Sequence, residues 1–186
     1  MLLQIDEVKS FLGIKSVTDD DKILTACQVA QKLADKAVDF TLEGSTFTEI
    51  QDCDGIDIIQ LRNLPVKSIT SLYNDFDRVY GEDTLISSDD YAVDEENGFI
   101  TAIECTFQAG ANAIKCIYVA GYNGLGQTDY TDLPDDLRQA LIYLASALYI
   151  EGTQGVNAMA GQFDSRPKEY RARADEILAT YRRMAL

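Results

Sequence analysis

Ala140-Leu141-Ile142-Tyr143-Leu144-Ala145-Ser146-Ala147-Leu148-Tyr149-Ile150 is the stretch that decides the fold. Ser146 is its only non-apolar side chain apart from the two tyrosine hydroxyls. Asp132-Leu133-Pro134-Asp135-Asp136 stands before it, with a cap candidate, an early proline and first-turn acids, so the order predicts a helix. A helix that is apolar all round must be covered all round. The run has 11 residues, too few for a bilayer span of ~20, so its cover is protein. Leu141, Leu144, Leu148 and Tyr149 are expected to supply that packing, against the core or against a neighbouring subunit.

Two helices are predicted upstream. Gln4 to Leu12 places Ile5, Val8 and Leu12 on one face and stops at Gly13. Thr18-Asp19-Asp20-Asp21 offers a cap and acids at the positive end of a second helix, Asp20 to Phe40. Its seam is Ile23, Cys27, Ala30, Ala34 and Ala37, small enough for close helix approach.

After Gly44 the period changes to that of strands. Thr46–Cys53 and Ile56–Arg62 flank Asp54-Gly55, which predicts a hairpin. Ser68–Tyr73 starts a further strand, and Asp75–Asp90 is acidic and turn-rich. Tyr91-Ala92-Val93 and Gly98–Thr106 flank another turn signal, and Ile114–Ala120 is a nearly unbroken apolar strand.

Downstream of the apolar helix, Gly152–Arg166 holds three glycines and reads as a loop. A last helix starts near Ser165-Arg166-Pro167, with Tyr170, Ala174, Ile177, Leu178 and Tyr181 on one stripe. The fold class expected is α+β, mainly α: a helical bundle with an inserted small antiparallel β-lobe. Residues 1–44 and 123–186 make the bundle and 45–122 the lobe, as one structural domain with an insertion.

Composition removes several functions. The 186 residues carry 16 Lys and Arg against 31 Asp and Glu, a net charge of −15. Such a chain repels a polyanion at long range, unlike a phosphate-gripping nucleic-acid binder. It has no histidine, hence no Ser-His-Asp or Cys-His nucleophile pair and no His-liganded zinc. No apolar run suits a membrane span, and Met1–Lys15 lacks the core of a signal peptide, so the chain reads as soluble and cytoplasmic. Cys27, Cys53, Cys105 and Cys116 have no metal-like spacing and read as small buried hydrophobes. A hairpin closing near Ala109–Asn112 would set Cys105 opposite Cys116 for a bridge.

No catalytic, cofactor-binding or metal-ligating set emerges. Gly121–Gly126 has three glycines but no P-loop Lys-Ser/Thr, and reads as a plain loop. Asp19–Asp21, Asp89 to Glu96 and Asp132 to Asp136 lack the alternation of an EF-hand and read as solvated acids. The strongest contrast is in charge. Residues 166–186 hold six bases and three acids, net +3, which leaves −18 for the rest. Arg166, Lys168, Arg171, Arg173, Tyr181, Arg182 and Arg183 are therefore the candidate partner-binding residues, while cations near a helix carboxyl end also suit its dipole.

The ordered joints of the chain resemble the head–tail connector (adaptor, or head-completion) family of tailed bacteriophages. They are Leu12-Gly13-Ile14, Asp20-Asp21, Leu64-Pro65-Val66-Lys67-Ser68-Ile69, Asp90-Tyr91-Ala92-Val93-Asp94, Ile117-Tyr118-Val119-Ala120-Gly121-Tyr122, Leu133-Pro134-Asp135-Asp136-Leu137 and Tyr181-Arg182-Arg183. The resemblance implies a structural virion protein, made in the host cytoplasm, that forms a ring, usually a dodecamer, in the phage neck. Such a ring binds the portal protein and a stopper or tail-completion protein. DNA passes its channel without specific binding, and the family has no catalytic residues, no cofactors and no membrane partner. Two other classes remain open from the residues alone: an acidic interaction protein (DNA mimic or anti-repressor type) that binds a basic host protein, and a carboxylate-based or metal-dependent hydrolase, disfavoured by the missing histidine and the absence of any ligand spacing.

Overall fold

The computed structural model describes residues 1–103, 105–157 and 165–182. Among them are four α-helices and six strands, an α+β fold: α1 (Ile5–Leu12), α2 (Asp20–Val38), β1 (Ser45–Cys53), β2 (Ile58–Gln60), β3 (Val66–Asn74), β4 (Tyr91–Asp94), β5 (Phe99–Ala102), β6 (Gly110–Ala120), α3 (Asp135–Asn157) and α4 (Arg166–Thr180). The chain forms two compact units. The helical unit takes Met1–Asp39, Gly124–Gln127 and the described residues from Asp132 onward; the β-unit takes Phe40–Asn123 and Thr128–Thr131.

In the helical unit, α3 is the hub. Eight of the eleven residues Ala140–Ile150 are buried, and only Tyr143, Leu148 and Tyr149 are partly open. The cover comes from the chain itself, since α1, α2 and α4 all pack on α3. Ile23, Cys27, Ala30 and Ala34 of α2 are buried as the seam requires, but Val38 takes the last inward position and Ala37 is exposed. A 3.5-residue repeat drifts by ~20° per heptad against a 3.6-residue helix, so after two heptads the next residue faces the core. The expected helix to Phe40 stops at Val38, where Asp39 turns left-handed at φ 67°.

Ion pairs tie the helices at their edges. Lys9 of α1 meets Asp20 at 2.7 Å, Arg138 of α3 meets Glu7 at 3.1 Å, and the Tyr181 hydroxyl donates to Asp136 at 2.6 Å. Phe11, Tyr143 and Tyr170 form an aromatic cluster across α1, α3 and α4, with ring centroids 5.3 to 5.6 Å apart.

The β-unit holds two antiparallel three-stranded sheets, ordered β1-β6-β3 and β2-β5-β4. Strand β6 is the central strand of the first, with Thr48 and Ser71 flanking Ile117. The hairpin expected between Thr46–Cys53 and Ile56–Arg62 does not form. Asp54-Gly55 turns the chain, with Gly55 at φ 78°, yet β1 zips to β6 while β2 pairs with β5. The expected turn at Glu95–Gly98 does close a hairpin, β4 against β5. Leu61, Leu72, Ile100, Phe107, Ile114, Cys116 and Tyr118 form the core of this unit.

The bridge between Cys105 and Cys116 is also absent: both are free thiols. The partners of Cys116 are Glu49 on β1 and Leu72 on β3, because the segment before β6 is not its neighbouring strand. The expected loop Gly152–Arg166 starts later than its glycines imply. The helix α3 runs on past Gly152 and Gly155 to Asn157, although each glycine costs a helix ~1 kcal/mol, with Glu151 held by Arg171 of α4. Residues 158–164 of that expected loop lie outside the described residues.

Candidate functional site

The basic carboxyl-terminal helix is largely engaged within the chain. Arg171 grips Glu151 of α3 in a two-point pair, Nε at 2.9 Å and Nη2 at 2.6 Å, which holds the Glu151 carboxyl below its usual pKa. Arg173 meets Glu169 at 2.6 Å and lies over the Tyr143 ring at 5.9 Å. Tyr181 is turned to Asp136. Arg166, Lys168 and Arg182 are exposed, and Arg183 lies outside the described residues. The net +3 of this segment is thus less available to a partner than its sequence implies.

Leu141 and Leu144 are core residues, 1% and 3% exposed. Leu148 and Tyr149 instead line a groove between α2 and α3, about 350 Å³, together with Ala26, Val29, Gly152 and Thr153. One end of the groove is polar. The Asp19 carboxylate accepts from Lys22 at 2.8 Å and from the Tyr149 hydroxyl at 3.1 Å. Asp19 stands at the amino end of α2 but makes no side-chain cap, because these two donors hold it. The lysine hydrogen bond, then the tyrosine's, lowers its pKa. Val29 was not singled out by the helical pattern of α2, because its place in a groove depends on where α3 lies.

The acidic segments are built into turns. Asp94 accepts from the backbone of Glu96 and Asn97 and from the Asn97 amide, so its carboxylate organises the β4–β5 turn. Asp75, almost wholly buried, accepts three backbone N–H bonds, from Asp77, Val79 and Tyr80, at 2.6 to 2.8 Å. The Tyr80 bond is the chief cause of its lowered pKa. On that closed loop, Phe76 and Val79 are 67% and 78% exposed. Among the described residues no three His, Cys, Asp or Glu side chains gather to hold a metal ion, and no helix is long and apolar enough to cross a membrane.

In the Gly121–Gly126 stretch, Gly121 serves close packing. Gly121, at φ 97°, runs so near Gly44 that a Cβ would stand 2.8 Å from the Gly44 Cα, and the Tyr130 ring fills the space where Gly44 would carry one. Tyr118, in the middle of β6, donates to Glu49 at 2.8 Å and accepts from Asn63, which binds the two sheets' connecting segment. Burial pushes its phenol pKa well up, so it stays a neutral donor.

Fold and surface together describe an α+β protein of a helical unit and a β-unit, each with exposed apolar side chains. The sequence matches the head completion protein family over residues 1–184, and the chain belongs to that family. Its fold is similar to a chain in the neck of an empty gene transfer agent (GTA) particle with C6 symmetry. That likeness has TM-score 0.66 and 17% identity, over 99% of this chain and 91% of that one. It is also similar to a chain in the neck of the native particle with C12 symmetry, TM-score 0.62 and 17% identity, over 99% and 90%. A chain of the native GTA virion matches with TM-score 0.61 and 16% identity, over 99% and 91%. At such identities the likeness is one of fold. No curated protein matches the sequence.

Proposed function

We propose that this protein is a non-enzymatic ring adaptor in the neck of a phage-like particle. It joins the capsid portal to the stopper or tail and extends the DNA channel. The observation that carries this reading is the family match over nearly the whole chain. The likeness in fold to chains from particle necks with six- and twelvefold symmetry supports it. In this reading the helical segments 1–44 and 123–186, with the inserted lobe 45–122, form one subunit of a dodecameric ring.

The exposed bases Lys168 and Arg182 contribute to the contact with the portal or a neighbouring copy, and the acid surplus faces the channel. A net charge of −15 keeps phosphate from being captured, so DNA slides past. Mass photometry of the purified chain, alone and mixed with portal particles from the same genome, tests the reading. A closed ring, or a uniform multi-copy mass added to the portal, is the expected result. A monomer that ignores the portal refutes it, and strongly salt-dependent capture of a basic host protein would replace it with an acidic interaction protein.

A further inference from the structure

Two surfaces are left uncovered by the described residues. The first is the groove between α2 and α3, floored by Ala26, Val29 and Leu148. Beyond it α2 carries the exposed Lys32, Leu33 and Lys36, with the half-buried Asp35 between the two lysines. This is a cationic, apolar face on a chain of net −15. Gly152 borders the groove in the carboxyl-terminal part of α3, where a Cβ would meet nothing within 4 Å. Its φ is not among the positive ones, so the backbone there does not require glycine. A glycine in mid-helix is destabilising relative to alanine. Its missing side chain leaves room that no described residue fills.

The second surface is the Phe76–Tyr80 loop of the β-unit. Residues 75–84 hold four acids (Asp75, Asp77, Glu82, Asp83) against Arg78, a net of −3. The loop is preorganised. Asp75 ties down three of its amides, Arg78 and Tyr80 sit at φ 62° and 55°, and the Tyr80 hydroxyl donates to the Asn112 carbonyl at 2.7 Å. Lys115 lies 5.0 Å from the centre of the Tyr80 ring. Such a loop holds Phe76 and Val79 in solvent as a fixed apolar knob with acids beside it.

We propose that these surfaces meet between two copies of the chain: the Phe76–Val79 knob of one copy seats in the α2–α3 groove of the next, its acids beside Lys32 and Lys36. The charges are complementary, and an apolar anchor on one side meets an apolar floor on the other. The contact joins two different faces, so it is heterologous, the type of interface a closed ring uses, and does not stop at a dimer. It rests on the ring reading and names the surfaces that form it.

Disulfide capture tests it. In a Cys105→Ser background, Val29→Cys and Val79→Cys are made as separate full-length variants. They are oxidised singly and as an equal mixture, both free and assembled with portal particles. The expected result is a linked dimer in the mixture and almost none from either variant alone, with a ladder from the chain that carries both changes. Gly152→Leu, which fills the edge of the groove, lowers the yield severalfold. Lys32→Glu with Lys36→Glu does the same, and Glu82→Lys with Asp83→Lys in the partner restores it. Equal linking within each single variant, or rings seen by mass photometry without any 29–79 link, overturns this seat and leaves the ring intact. A chain that stays monomeric with and without the portal overturns both.

Discussion

Asp75 shows how one side chain shapes a surface. Its carboxylate accepts the amides of Asp77, Val79 and Tyr80, so its pKa in the folded chain lies below the unfolded value of ~3.9. A carboxylate depressed in this way contributes stability above the unfolded pKa and loses it as pH falls through the folded one. Amide hydrogen exchange at residues 77, 79 and 80 is therefore expected to stay slow at pH 4 and to quicken only in more acid solution. Asp75→Ala should quicken the same amides at neutral pH, and unchanged exchange would show that the loop holds without the carboxylate. The cysteines make a second case. Burial pushes the Cys27 thiol up to about 11 and Cys116 up to about 12, and Cys53 is also buried. A thiol reagent at pH 8 should thus label the half-buried Cys105 first, and the other three only on unfolding.

At the scale of elements, α3 carries the helical unit. Leu144 sits at its centre, 3% exposed. Leu144→Ala is expected to cost about 2–5 kcal/mol, the usual range for a buried leucine truncated to alanine. Urea denaturation followed by circular dichroism reads this directly, and a loss under ~1 kcal/mol would mean that the bundle collapses into the cavity. The Arg171–Glu151 pair makes a contrast. Both side chains are more than a third exposed, at 36% and 43%, so solvent screens the pair and Glu151→Gln should cost at most ~1 kcal/mol. In the β-unit the decisive element is β6, which the sequence marks as a strand by its apolar run. Its neighbours were not legible. Asp54-Gly55 is a local turn signal, and a turn does not state which distant strand its flanks will join; β1 found a partner more than fifty residues away.

The whole molecule is dominated by its charge. A net of −15 on 186 residues works against the compact state through self-repulsion, and salt screens it. The melting temperature should therefore rise between 20 mM and 0.5 M NaCl, by about 2–4 °C for each kcal/mol regained in a chain of this size. A fall in that range would mean that attractive pairs such as Lys9–Asp20 outweigh the repulsion.

Composition and periodicity alone determined the class of fold, the four helices, the acidic turns and the lack of histidine chemistry. These follow from local physics: caps, glycine stops, the alternation of strands and the need to cover an apolar helix. Family membership was legible too, because it lies in the order of joints along the chain. Only the tertiary structure decided that α3 is covered by its own chain, that β1 and β2 belong to different sheets, and that Arg171 and Arg173 are held by acids at home. It alone set Val29 beside Leu148 in a groove and raised Phe76 and Val79 on a closed loop. Each of these depends on which distant segment arrives as neighbour. Pairing over long range is settled by the packing of the whole core, and no local pattern encodes it.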